Sequence, residues 1–242
     1  MKKLIIGLFC LSALTAMAEV NIYGPGGPAP VFKEIVSNVQ NNKNINLQFG
    51  PTKKWIESAK ENADIIFSGS DFMMNGFSNE LSDIDKSSIK AIKIREAGIL
   101  VRKENSKNIH SIKDLAKKDI NIIVVDGAGQ ISLWEDMVGK SKDVDLLNKV
   151  RTNIKYFAPN SAMALSKWEE DKSIDAVIIW KPWEKRFKES KFISVEEENR
   201  IYRPALIALT KKGENNAEAK ELYEKILSKQ FDNIWEKNNW MK

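Results

Sequence analysis

The chain has 242 residues, a formal net charge of +5, one cysteine and one histidine. That length suits one large or two small domains whose cores need no disulfide staples. One cysteine and one histidine exclude a cysteine- or histidine-rich metal site, and the absence of a basic stripe interleaved with aromatics argues against nucleic-acid binding.

Lys2 and Lys3 precede an apolar run from Leu4 to Leu14, and Ala16-Met17-Ala18 follows as a small-x-small pattern. This predicts a secretory signal peptide over residues 1–18, cleaved after Ala18, with export to the periplasm. The run is too short for a permanent anchor. Cys10 lies inside it, so the exported chain is expected to carry no thiol.

Beyond residue 18 the apolar period alternates between strand and helix. Val20 to Tyr23 reads as a strand, the break Gly24-Pro25-Gly26-Gly27-Pro28-Ala29-Pro30 follows, and Val31 to Val39 reads as a helix. Ile45 to Phe49 is a second strand, Pro51-Thr52 opens a helix to about Asn62, and Ala63 to Phe67 is a third, almost wholly apolar strand. Ile89 to Arg102 is long and extended, and Ser111 with Asp114 marks a capped helix start. A second series then begins. Its strands are Ile120 to Val125, Ile154 to Phe157 and Ile174 to Trp180; its helices are Ile131 to Val138 and Ala162 to Glu170. Arg200 to Thr210 is a second extended segment, and Glu214 to Trp240 reads as one or two helices.

Two α/β series joined by two long extended segments predict two lobes, residues 19–97 with 205–242 and residues 98–204. In open α/β sheets, ligands sit beyond the carboxyl ends of strands. The breaks there are rich in amide and hydroxyl donors: Gly26 and Gly27, Ser68 and Ser70, Gly129 and Gln130, Asn160 and Ser161, and Trp180 with its indole N–H. Glycine lets backbone amides approach a ligand closely, and helix N-termini favour anions. Asn160 and the two serines serve equally as helix caps, and Trp180 equally as core. Uncharged donors of this kind suit a desolvated anion and leave no buried cation unpaired.

Tyr-Gly-Pro-Gly-Gly-Pro-Ala-Pro at 23–30, Ser-Gly-Ser-Asp-Phe-Met-Met at 68–74, Val-Val-Asp-Gly-Ala-Gly-Gln at 124–130 with Leu-Trp-Glu-Asp at 133–136, and Ile-Tyr-Arg-Pro-Ala-Leu-Ile-Ala-Leu-Thr at 201–210 resemble the accessory colonisation factor AcfC family. That group is similar to molybdate- and sulfate-binding periplasmic proteins. The resemblance implies an α/β, two-lobed type II periplasmic binding fold with two crossing strands and an interlobe cleft. It implies capture of a small sulfate- or molybdate-like oxyanion by hinge closure, as a monomer without a cofactor, for an ABC permease. A small organic carboxylate, sulfonate or phosphonate read by a chemoreceptor is the alternative. Trp180 stands near the place where molybdate binders use a tyrosine. Enzymatic function is not expected: His110 stands alone in a loop, and the tyrosines that a ferric-ion binder would cluster are scattered.

Overall fold

The computed structural model describes residues 19–39, 44–127 and 129–241, so the signal-peptide expectation lies outside the described residues. The strands are β1 (Val20–Gly24), β2 (Ile45–Phe49), β3 (Ile65–Ser68), β4 (Lys90–Arg102), β5 (Ile122–Val125), β6 (Ile154–Ala158), β7 (Ala176–Trp180), β8 (Ser190–Ile193) and β9 (Ile201–Leu209). The helices are α1 (Ala29–Val39), α2 (Ile56–Asn62), α3 (Asp71–Glu80), α4 (Leu133–Gly139), α5 (Val144–Asn153), α6 (Ser161–Glu170), α7 (Lys211–Glu214), α8 (Ala217–Leu227) and α9 (Asp232–Lys237).

The sheet runs β2-β1-β3-β9-β4-β7-β5-β6, with β8 also on β4. β1 is parallel to β2 and β3, and β5 is parallel to β6 and β7. Between these two parallel sets lie β4 and β9, antiparallel to each other and to their outer neighbours. β4 pairs with β9 over residues 90–97 and with β7 over residues 97–101, so it crosses from one set to the other.

Three buried clusters follow this division. One draws only on residues 97–195; the other two draw on residues 20–84 and 205–240. β3, β5 and β7 are buried at every position, which explains why their sequences are apolar runs without alternation. α1 instead buries Ala29, Val31, Phe32, Ile35 and Val36, the face its periodicity predicts.

Several elements depart from the sequence expectation. Ser111 and Asp114 do bond reciprocally, but they cap only a short 3-10 turn, Lys113–Ala116, which ends in extended backbone at Lys117. The helix expected from Ile131 starts at Leu133, because Ser132 is left-handed at φ 59°. The C-terminal run does hold two helices, α8 and α9, but a further short helix, α7, capped by Thr210, precedes them, and Asn216 caps α8.

The return of the chain after β9 is pinned by Asp64. Its fully buried carboxylate accepts from Asn21 N (2.8 Å) and Asn216 Nδ2 (3.3 Å), with Lys212 Nζ at 3.6 Å. Asp64→Ala strands these donors and is expected to cost about 2–3 kcal/mol. Urea unfolding followed by circular dichroism measures this; an unchanged midpoint would show that the carboxylate is dispensable.

Candidate functional site

Because both parallel sets point their carboxyl ends inward, the loops after β1, β2 and β3 face those after β5, β6 and β7. Between them lies a cavity of about 690 Å³. One wall is Pro25 to Pro30, Phe49 to Thr52 and Gly69; the other is Gln130, Pro159 to Ala162 and Trp183. α1 and α6 begin at this cavity and aim the positive ends of their dipoles into it.

The lining contains three cationic side chains, Lys33, Arg95 and Arg186, and no acidic residue among the described residues. Arg95 rises from β4 where the strand crosses between the two sets and is only 3% exposed. Its Nη2 donates to the Gly69 carbonyl, and its Nε has no partner among the described residues. Its guanidinium lies between two indoles, 4.6 Å from the Trp180 ring centre and 5.1 Å from that of Trp240. Burial, and secondarily Arg203, pushes its pKa down to about 9. It therefore stays charged at neutral pH. The folding cost of that buried charge is fully present below about pH 9 and is relieved as pH rises beyond it.

Arg186 approaches from the turn after β7. Its Nη2 donates to the carbonyls of Gly26 (2.9 Å) and Gly27 (3.3 Å), and its guanidinium covers Trp183 at 4.1 Å. Burial lowers its pKa to about 10. Neither arginine has a carboxylate within ion-pair distance among the described residues. The two converge on one place. A Cβ added to Gly27 would stand 3.4 Å from Arg95 Nη1, while the carbonyl of the same residue accepts from Arg186.

Gly26, Gly27, Gln130, Asn160 and Ser161 line this cavity; Ser68, Ser70, Gly129 and Trp180 do not. Ser68 is fully buried and donates to the Ser70 carbonyl. Ser70 Oγ caps α3 by accepting from Met73 N. Gly129, left-handed at φ 79°, packs against Ser70 and Met73 on a neighbouring groove. Trp180 is no cavity wall: it is fully buried behind Arg95, and its indole N–H has no partner among the described residues. Asn160 Oδ1 is committed to capping α6 through Met163 N (3.0 Å), and Ser161 Oγ accepts from Gln130 Nε2 (2.6 Å).

The expectation of an uncharged donor set is thus corrected: buried guanidinium groups stand at the cavity. Sequence reading missed them for physical reasons. Arg95 looks like an ordinary polar position of an extended segment, and Arg186 sits among Lys181, Lys185 and Lys188 like a solvated surface charge. Only Trp180, next to a strand end and too large to bury idly, hinted at something needing an aromatic face.

The sequence pattern of bacterial extracellular solute-binding proteins matches residues 20–240. The chain belongs to that family. A structure of PEB3 bound to L-phospholactate superimposes on this solute-binding protein with a TM-score of 0.85 at 33% identity, covering 92% of this chain and 99% of that one. Peb3 from Campylobacter jejuni gives 0.83 at 32% identity, with coverage of 92% and 99%. The sulfate-binding protein SubI from Mycobacterium tuberculosis H37Rv gives 0.74 at 13% identity, with coverage of 92% and 86%, a likeness of fold. No curated protein sequence matches. The fold is the two-lobed periplasmic binding fold, with β4 and β9 as its crossing strands. No helix among the described residues is long and apolar enough to cross a membrane.

A charged, carboxylate-free arginine in the interior is costly without a counterion. Arg95→Met is therefore expected to raise the melting temperature of the free protein by about 2–10 °C, from about 1–3 kcal/mol. The same change should abolish stabilisation by anions. Scanning calorimetry with and without anion checks both halves, and a lower melting temperature in the free variant would contradict the first.

Proposed function

We propose that this solute-binding protein captures a small organic anion in the interlobe cavity and delivers it without chemical change. The observation that carries this reading is the convergence of Arg95 and Arg186 on Gly27 in a cavity whose lining holds no acidic side chain. Two guanidiniums at one point suit a compact, multiply charged headgroup such as a phosphate or phosphonate. The remaining wall is Pro25, Pro28, Pro30, Pro51, Phe49 and Ala162, which suits a short carbon skeleton. A bare sulfate or molybdate matches the charge but fills little of about 690 Å³. The L-phospholactate carried by the PEB3 relative supports the organic reading.

The lobes we propose are residues 19–97 with 205–242 and residues 98–204, hinged on β4 and β9. Export through residues 1–18, delivery to an ABC permease and kinship with the AcfC group complete the proposal; a chemoreceptor is the alternative recipient. Closure draws on charge-assisted hydrogen bonds that exist only when both lobes face the guest. Micromolar affinity, about −8 kcal/mol, is expected.

Calorimetric titration with L-phospholactate, small phosphonates, sulfonates and carboxylates, and with sulfate, molybdate and phosphate, tests the reading. An organic phosphate or phosphonate should bind at least about tenfold more tightly than sulfate or molybdate. Tightest binding by sulfate or molybdate would instead establish a bare-oxyanion carrier. Gly27→Val places methyl groups against Arg95 and is expected to weaken binding by about 100-fold or more while the chain stays folded. An unchanged titration would move the headgroup elsewhere.

A further inference from the structure

Residues 239–241 touch Arg95 itself and Glu184, two residues before Arg186. After α9, Trp240 is 3% exposed and lies edge-on to Trp235 at 5.2 Å. Trp235 is edge-on to Phe32 at 6.0 Å, and Phe32 stacks on Phe67 at 3.9 Å. A line of aromatic rings thus runs from the core of the first lobe to Arg95, with Trp180 of the other parallel set on the guanidinium as well. The tail is fixed by backbone as well as by rings. Met241 N donates to the Ile94 carbonyl (2.8 Å), next to Arg95 on the crossing strand, and Trp240 N donates to the Trp235 carbonyl (3.0 Å). Asn239 Nδ2 donates to Glu184 Oε2 (3.1 Å), two residues before Arg186. One three-residue segment, 239–241, therefore touches both stretches of chain that bring positive charge to the cavity.

We infer that Trp240 is a positioning residue for anion capture, its indole face holding the Arg95 guanidinium in the orientation that receives the headgroup. This inference rests on the anion-binding reading above. The physical case is that, among the described residues, Arg95 has no carboxylate within ion-pair distance and a single side-chain hydrogen bond, that to Gly69. One hydrogen bond fixes a single edge of the guanidinium, and the indoles of Trp180 and Trp240 pack against the group from its faces. A leucine at 240 fills much of the space but offers no π face. A phenylalanine keeps a π face with less area. Because the segment also bonds to Ile94 and Glu184, it sits across the junction of the lobes, where orienting one guanidinium is linked to the placement of the other.

The test compares wild type, Trp240→Phe and Trp240→Leu in the full exported chain, with L-phospholactate and inorganic phosphate as probes. Calorimetry should show Trp240→Phe within about threefold of wild type and Trp240→Leu weaker by about tenfold or more, at an unchanged circular dichroism spectrum. Site-specific fluorinated tryptophan at 240 keeps the shape and drains charge from the ring face, so affinity should fall stepwise with fluorine number. This arm holds even where Trp240→Leu does not fold. Equal affinity across the fluorinated series, or Trp240→Leu binding like wild type, overturns the inference. A ligand-free readout separates it from the parent reading: the Arg95 Nε–H resonance should be shifted upfield by the two rings and move downfield in Trp240→Leu. If neither probe binds wild type but the resonance moves as stated, the ligand class falls and the positioning role stands. If the resonance does not move, the positioning role falls.

Discussion

A guanidinium in a protein interior loses its hydration, and ordinarily a carboxylate offsets that loss. Arg95 has none. It makes do with the Gly69 carbonyl and the faces of Trp180 and Trp240. Much of the surrounding architecture follows from keeping that charge dry, oriented and unneutralised. The crossing strand β4 carries it to the middle of the molecule, rings from both halves enclose it, and its free N–H groups are left for a guest. A carboxylate partner would offset the buried charge, but on the proposed function an anionic solute would then have to displace an internal one. Arginine suits the position better than lysine. Its charge is delocalised over a plane that stacks on indoles and still offers donors at its edge.

The uncharged groups at the strand ends play a different part. Asn160 and Ser70 are spent on the first turns of α6 and α3, and Ser68 is spent on the loop between β3 and α3. The two serines hold the start of α3 rather than reach into the cavity, whereas Asn160 both caps α6 and lines the cavity. What the termini of α1 and α6 contribute is their dipole, which reinforces the arginines at no cost in additional buried charge. Ser161 and Gln130 bond to each other at the opposite wall, a neutral pair that shapes the side of the cavity away from Arg95.

Much of this was legible in the sequence. Apolar runs such as Ile65-Ile66-Phe67 and Ala176-Val177-Ile178-Ile179 can only be strands covered on both faces, and the glycine- and proline-rich break at 24–30 marks a strand end that must approach something closely. Those local signals give the rhythm of two series and five of the cavity-lining positions. The charged centre was not legible, because nothing local distinguishes Arg95 from Lys93 or Arg102 on the same strand. Arg95 is interior because Gly69, Trp180 and Trp240, far from it and from one another in the chain, pack against its guanidinium. Trp180 illustrates the same limit. Its place at the end of β7 was evident, but whether the ring faces a solute or backs a guanidinium depends on a strand eighty residues away.

The bonds between the two walls show how capture and closure can share the same groups. Arg186 spans the cleft to the carbonyls of Gly26 and Gly27, and Gly129 sits so close to Ser70 and Met73 that a Cβ there would stand 2.9 Å from either side chain. A guanidinium has five N–H donors in a fixed plane, and the two carbonyls engage only Nη2. The remaining donors can bind a headgroup without releasing the loop, so an anion adds bonds to the closed arrangement instead of competing with those that hold it. On the proposed function, two lobes connected in this way would close more tightly around a charged solute than around water. The bias would scale with how many of the unused N–H groups the solute satisfies at once. Shape and charge of the headgroup, together with the size of the cavity, would then set which solutes drive closure.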